Sequence, residues 1–346
     1  MRLSIITKCG KVLILVLVIV LVVACNRSSG DSSLSGMADD DVVSTIDVVT
    51  TTNILKDWVE NVGDEAVSVH SLVPSDMDPH AFRPTPRSVQ LVEEADIVFL
   101  VGSQYEEAWL EKLTSNVISN PGKLVYLAES VELRAYSREY KNDNDGHDGH
   151  DDDHDGDKGD GDHQGHSHGA TDPHFWHNPI MAISAVERIV SDLSSIDMTK
   201  HDYFEANGNA YIEKLNEMHN WVVSQVDRLP KDRRILVTNH ESLGYFADRY
   251  NFEIIGTIIG GFSSEGSVTP RGLADILDKV ADNDVNVIFG ELNMSDKIAQ
   301  TISEDTGVVV ERLYSENFSS SGGGVTSYIE MIEVNVQTIV DSLESS

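Results

Sequence analysis

The sequence predicts an α/β protein of two similar lobes, each a parallel sheet flanked by helices, with a long helix running between them. Three observations carry this. Short β-branched or apolar runs alternate with helical periods from Ile46 to Leu127, and such alternation argues for a parallel sheet covered on both faces. The same alternation resumes after Pro230. Between the two, Tyr211, Leu215, Met218, Val222, Val226 and Leu229 repeat at spacings of three and four, which gives a helix one apolar face. At about 1.5 Å per residue, a helix over 201–229 reaches about 40 Å and crosses both lobes as a strut.

In chain order, residues 45–178 form the first lobe. Strands are expected at Ile46–Thr51, Val67–Val73, Ile97–Val101 and Leu124–Leu127. Helices are expected after Asn53 through Val62, at Ser88–Glu94 and at Tyr105–Leu113. Residues 179–229 are helical, as Met181–Ile196 and His201–Leu229. Pro179 opens the first of these, where its missing N–H costs nothing. Residues 230–346 form the second lobe. Its strands are Arg234–Thr238, Ile254–Ile259, Val285–Phe289 and Val308–Arg312, and its helices are Gly244–Tyr250, Pro270–Asp282, Asp296–Thr306 and Thr326–Leu343.

One segment breaks the pattern. Residues 141–171 hold His147, His150, His154, His163, His166 and His168 among many Asp and Gly. With no apolar residues to bury, the segment reads as a disordered loop. Its imidazoles and carboxylates form an auxiliary site of weak, interchangeable divalent-cation capture.

The formal net charge of −33 argues against binding nucleic acid, whose phosphates would repel such a chain, and suits the gathering of cations. Residues 1–25 read as a targeting signal. Arg2, Lys8 and Lys11 precede the apolar run Val12–Val23, which is short for a membrane span. The run ends in Val22-Val23-Ala24-Cys25, similar to a bacterial lipoprotein cleavage box with Cys25 lipidated. A plain secretory signal or an anchor helix is the alternative. Residues 26–44, rich in Ser, Gly and Asp, read as a flexible tether. The chain is expected outside the cytoplasm, held to the membrane by lipid, as a monomer. Cys9 leaves with the signal and Cys25 carries lipid, so any metal site must use nitrogen and oxygen.

In sheets of this kind ligands bind beyond the carboxyl ends of the strands. Four stretches lie there: Met77–Pro86 with His80, Asp172–Pro179 with His174, Thr238–Ala247 with His240, and Leu313–Phe318 with Glu316. Three neutral imidazoles and a carboxylate suit zinc better than calcium or magnesium.

Three of these stretches, D-P-H-A-F-R-P-T-P, D-P-H-F-W-H-N-P and N-H-E-S-L-G-Y-F-A, resemble the cluster A-I solute-binding proteins of metal ABC importers. Their order, the intervening His-rich loop and the long helix agree as well, from about Ile46 to the end. The resemblance implies two Rossmann-like lobes, a rigid joining helix and delivery of a divalent metal to a membrane permease. It implies His80, His174 and His240 as ligands, with histidine rather than glutamate at the third position pointing to Zn2+ as the cargo over manganese or iron. The family commonly has Asp where Glu316 stands, so the fourth ligand is Glu316 or water. Glu291 is similar to a cleft-lining glutamate of the family.

Rival readings attach to several residues. Glu241 adjoins His240 and is a candidate to orient its ring, and the alternative for both Glu241 and Glu291 is capping or solvated charge. His177 stands three residues after His174 but between two prolines, and is expected not to ligate. His70, His201 and His219 stand alone. A zinc-dependent hydrolase would need three ligands, an open position and a base such as Glu241 or Glu291. No H-E-x-x-H, nucleophile elbow or phosphate loop accompanies them. An adhesin or metal buffer without a transporter is a third class.

Overall fold

The computed structural model describes residues 45–75, 77–106, 109–110, 120–135, 171–259, 270–292, 294–318 and 324–345. The signal with Cys25, the tether, the six loop histidines (His147, His150, His154, His163, His166 and His168) and most of the helix expected at Tyr105–Leu113 lie outside the described residues.

Two four-stranded sheets share one plan. The first comprises β1 (Ile46–Thr50), β2 (Val67–Ser71), β3 (Ile97–Leu100) and β4 (Leu124–Tyr126), in the order β2-β1-β3-β4 and parallel throughout. The second comprises β5 (Ile235–Thr238), β6 (Glu253–Thr257), β7 (Val287–Glu291) and β8 (Val309–Leu313), in the order β6-β5-β7-β8, also parallel. The central strands β3 and β7 are buried along their whole length, which is why β3 reads as an unbroken apolar run. In each sheet the chain reverses its direction of winding between the two inner strands, β1 and β3 or β5 and β7. The carboxyl ends of those pairs form the crevice that sheets of this kind use for ligands.

The helices are α1 (Asn53–Gly63), α2 (Pro86–Glu94), α3 (Pro179–Ile196), α4 (His201–Val226), α5 (Gly244–Tyr250), α6 (Pro270–Asp282), α7 (Asp296–Thr306) and α8 (Tyr328–Ser345). Local chemistry sets their starts. Thr52 caps α1, Thr85 and Ser88 form a capping box on α2, and Asn178 caps α3 ahead of Pro179. The strut α4 buries Phe204, Tyr211, Leu215, Met218, Val222 and Val226 and packs on α3, α1 and α8. It therefore touches helices from both halves. No helix of the described residues is long and apolar enough to cross a membrane.

The main core runs through both halves, from Val48, Trp58 and Phe99 through Phe175 and Leu215 to Phe289 and Tyr328. Two smaller clusters fill the far sides of the sheets, around Val98, Leu100 and Trp109 in one and Val237, Ile288 and Ile302 in the other. Within the span Val43–Ser346 the described residues make one compact unit.

Two departures from the sequence reading have local causes. Strands expected to end at Val73 and Ile259 stop two residues earlier. The backbone still continues the ladder there, with Val73 N–H on Thr51 O and Ile259 N–H on Asn239 O. Strand β7 starts at Val287 rather than Val285, because Asp284 turns left-handed (φ 51°) and Val285 N–H closes α6 onto Val280 O. At its other end the strand runs on past Phe289 to Glu291, at the crevice.

Candidate metal centre

The two D-P-H motifs build the same turn. Asp78 Oδ1 accepts the N–H of His80 at 2.9 Å, and Asp172 Oδ1 accepts the N–H of His174 at 2.9 Å. In each, an aspartate two residues ahead of the histidine folds the chain locally and fixes where the ring leaves it. The second motif is also nailed down by Phe175 and Trp176, both fully buried. His240 follows β5, with Thr238 Oγ1 donating to its carbonyl at 2.9 Å. Glu316 follows β8 on a loop held by Asn335, which accepts the N–H of Tyr314 and donates to its carbonyl.

These four stretches converge. Glu316 Oε1 lies 2.9 Å from Nε2 of His80, 3.1 Å from Nε2 of His174 and 3.1 Å from Nε2 of His240. The Nε2 atoms of His174 and His240 are 3.4 Å apart, and one donor atom from each of the four residues lies within 4.8 Å of all the others. Donors bonded to a tetrahedral zinc at about 2.0–2.1 Å are roughly 3.3 Å from one another, so the four fit one small cation. His174 and His240 are 0% exposed, Glu316 5% and His80 9%.

A second layer orients the four. His174 Nδ1 lies 2.8 Å from Asp172 Oδ1. His240 Nδ1 pairs with Glu291 Oε1. Both ring nitrogens of His240 thus face a carboxylate, Glu291 on one side and Glu316 on the other, and Glu291 rather than the adjacent Glu241 is the carboxylate seen against Nδ1. Tyr105 donates to Glu316 Oε2 at 3.1 Å, leaving Oε1 toward the imidazoles. His177 is no part of the four. Its Nε2 donates to Ser315 O at 2.9 Å, beside Trp176 Nε1 on the same carbonyl at 2.8 Å. Burial, reinforced by the neighbouring His174, pushes the His177 pKa down to about 3, so it stays a neutral donor.

Electrostatics follow from these contacts. Burial opposes charge on His174, but Asp172 and Glu316 outweigh it and its pKa is raised. Burial likewise opposes charge on His240, and Glu291 with Glu316 raises it well above the ordinary value. Burial would raise Glu316, yet the imidazoles, His80 foremost, hold it well below the usual carboxylate range. Protons and a cation therefore compete for the ring nitrogens of His174 and His240.

The other described histidines lie elsewhere. His70 is exposed on β2. His219 lies 2.9 Å from the Tyr250 hydroxyl. His201, expected to stand alone, shares an exposed turn of α4 with Asp202 and Glu205. Sequence reasoning missed the roles of Tyr105 and Asp172, whereas His177 stays outside the four as expected. The repeated D-P-H was the available signal for Asp172. It also missed Glu106, which accepts from Thr51 Oγ1 and from the N–H groups of Val101 and Gly102, and whose pKa burial pushes up to about 6.

The family model described as zinc-uptake complex component A, periplasmic, matches residues 48–342. Among curated relatives, the manganese-binding lipoprotein MntA of Halalkalibacterium halodurans is 28% identical over 297 residues, 86% of this chain and 88% of that one. The manganese ABC transporter substrate-binding lipoprotein PsaA of Streptococcus pneumoniae is 26% identical over 340 residues, 97% of this chain and 99% of its own. Among solved structures, the periplasmic zinc-binding protein TroA from Treponema pallidum aligns with a TM-score of 0.71 at 22% identity, over 87% of this chain and 99% of that one. The manganese-bound S38A mutant of a periplasmic metal-binding protein from Candidatus Liberibacter asiaticus aligns with a TM-score of 0.71 at 20% identity, over 86% and 100%. At these identities the structural likeness is one of fold. The family is one of solute-binding components rather than enzymes, which sets the hydrolase reading aside. With its model matching most of the chain, the protein belongs to the zinc-uptake complex component A family, the extracytoplasmic metal-binding components of ABC importers.

Proposed function

We propose that this chain captures Zn(II) between His80, His174, His240 and Glu316 and delivers it to the permease of an ABC importer, anchored to the membrane by lipid at Cys25. The observation that supports zinc most is the donor set. Three imidazole nitrogens meet one carboxylate oxygen at 2.9–3.1 Å, and Tyr105 engages the other carboxylate oxygen. Glu316 is thereby disposed to give one oxygen, making a four-donor N3O set. Zinc takes four such ligands readily, whereas manganese favours more oxygens and six-coordination.

In this reading the cation takes one nitrogen of each imidazole, while Asp172 and Glu291 hold the rings of His174 and His240 by their far nitrogens. The six loop histidines gather cations nearby. A four-ligand site holds zinc at roughly nanomolar levels, about −12 kcal/mol, so release is driven by docking to the permease.

Manganese is the second reading, favoured by the names of the relatives that bind it. Competition titration of the mature protein with Zn(II) and Mn(II) separates the two, and zinc is expected to displace manganese with a preference of a hundredfold or more. A manganese preference would overturn the zinc reading. Replacing His240 with Ala should weaken binding by orders of magnitude, and an unchanged affinity would overturn the ligand set.

A further inference from the structure

We propose that Arg134 is a positioning residue for this metal centre, acting on His174 through Asp172 and setting how long the cation is retained. The proposal rests on His174 being a ligand.

Asp172 is fully buried. Its Oδ1 is spent on the N–H and Nδ1 of His174. Its Oδ2 faces Arg134 Nη1 at 3.8 Å, beyond hydrogen-bonding range but close enough to balance a buried charge. The backbone keeps the two residues together. Asp172 N–H donates to Arg134 O at 3.0 Å, and the next pair, Ala135 and Thr171, forms an antiparallel bridge. Tyr245 closes the arrangement, accepting from Arg134 N–H at 2.8 Å and donating to Asp172 O at 2.6 Å.

The neighbouring residue makes room for this contact. A Cβ on Gly244 would sit 2.3 Å from Arg134 Nη1 and 2.9 Å from Asp172 Oδ2. Glycine leaves the slot in which guanidinium and carboxylate meet, and any side chain there would evict the flexible tip of Arg134.

Arg134 has a second partner, Asp248, 2.7 Å from its Nε. Asp248 is 63% exposed and Arg134 29%, and an ion pair so placed contributes little. Asp172 is 0% exposed, and removing one partner of a buried pair leaves an uncompensated charge. The limb toward Asp172 is therefore the one that matters. Without it, Asp172 is free to turn toward other partners and His174 loses its fixed orientation.

The test is stopped-flow transfer of Zn(II) from the full mature protein to a chromophoric chelator, reading the slowest phase. Groups that orient metal-binding histidines typically change affinity by 10–100-fold. Arg134→Gln is expected to speed release by about tenfold or more. Gly244→Ala, which keeps every charge, should do the same, and the double variant should release no faster than the faster single one, since both act on one contact. Arg134→Lys should fall between, and Asp248→Asn should stay within about twofold of the parent. A parental rate in both Arg134→Gln and Gly244→Ala, or Asp248→Asn matching Arg134→Gln, would overturn the proposal. A His174→Ala control that retained tight zinc would instead indict the metal centre itself.

Discussion

Glu291→Gln isolates what a carboxylate behind a metal-binding imidazole does. The substitution keeps the shape of a side chain that is almost fully buried and removes only its charge from His240 Nδ1. Two effects oppose one another. With Glu291 charged, His240 is a stronger donor to a cation, and such supporting groups are worth about 10–100-fold in affinity, or about 1.4–2.7 kcal/mol. The same charge raises the pKa of His240, so protons compete harder. Above the raised pKa only the first effect acts, and zinc affinity should drop by about 10–100-fold in the variant. As pH falls, the parent should begin to lose affinity while still above about 6.5, the ordinary imidazole value. The variant should begin lower, so the two curves converge. The assay is competition with a chromophoric chelator across pH. Calorimetry in buffers of different ionisation enthalpy counts the protons released. Equal affinities in alkaline buffer, together with an unchanged proton count, would refute the reasoning.

Other outcomes follow from the same geometry. In the metal-free protein, the raised pKa values of His174 and His240 contribute stability that is fully present below about pH 6.5 and lost as pH rises through the raised values. Melting temperature should therefore fall over that range without metal, and stabilisation by zinc should grow over it; a metal-free melting temperature that rose across it would count against these contacts. Glu316→Asp shortens the reach to three imidazoles and Tyr105 by one methylene, and should weaken zinc at least tenfold in the same titration. Deleting residues 141–170 should leave one tight site and remove weaker ones, visible as fewer equivalents bound at equilibrium dialysis.

The sequence made the alternation of strands and helices legible because parallel strands buried on both faces leave few polar positions to blur the pattern, as β3 illustrates. The four converging residues were legible because each follows a strand or opens a helix at the ligand-binding edge. Local rules also held where the chemistry was local: Pro179 opens α3 as the sequence suggests. What escaped was set by contacts between distant residues. Tyr105 meets Glu316 across 211 positions and Trp176 meets Ser315 across 139, and no periodicity encodes either. Glu241 looked apt only because it adjoins His240, whereas Glu291 reaches the ring from a neighbouring strand. Glu291, which the sequence already offered as a cleft-lining residue, ends that strand at the crevice.

The same distant contacts bear on release. The loop carrying Glu316 is held from the N-terminal half by Trp176 and His177 on Ser315 O, by Asn53 on Phe318 O at 2.6 Å, and by Tyr105 on the carboxylate. Net values of about 0.5–1.5 kcal/mol for each buried hydrogen bond put the cost of withdrawing the loop at roughly 2–6 kcal/mol, before the loss of the metal bonds. Rotating whole lobes apart would cost more, since one core runs from Val48 through Leu215 to Phe289 and α4 packs on both halves. The economical opening is thus local. A permease that draws Ser315–Phe318 away from Trp176 and His177 removes the one oxygen donor and leaves three imidazoles for protons to reclaim, two of which have raised pKa values. Weakening that hold, with Trp176→Phe to delete the indole N–H, should speed zinc release to a chelator while leaving the three histidines in place; an unchanged rate would mean that the cation leaves by another movement.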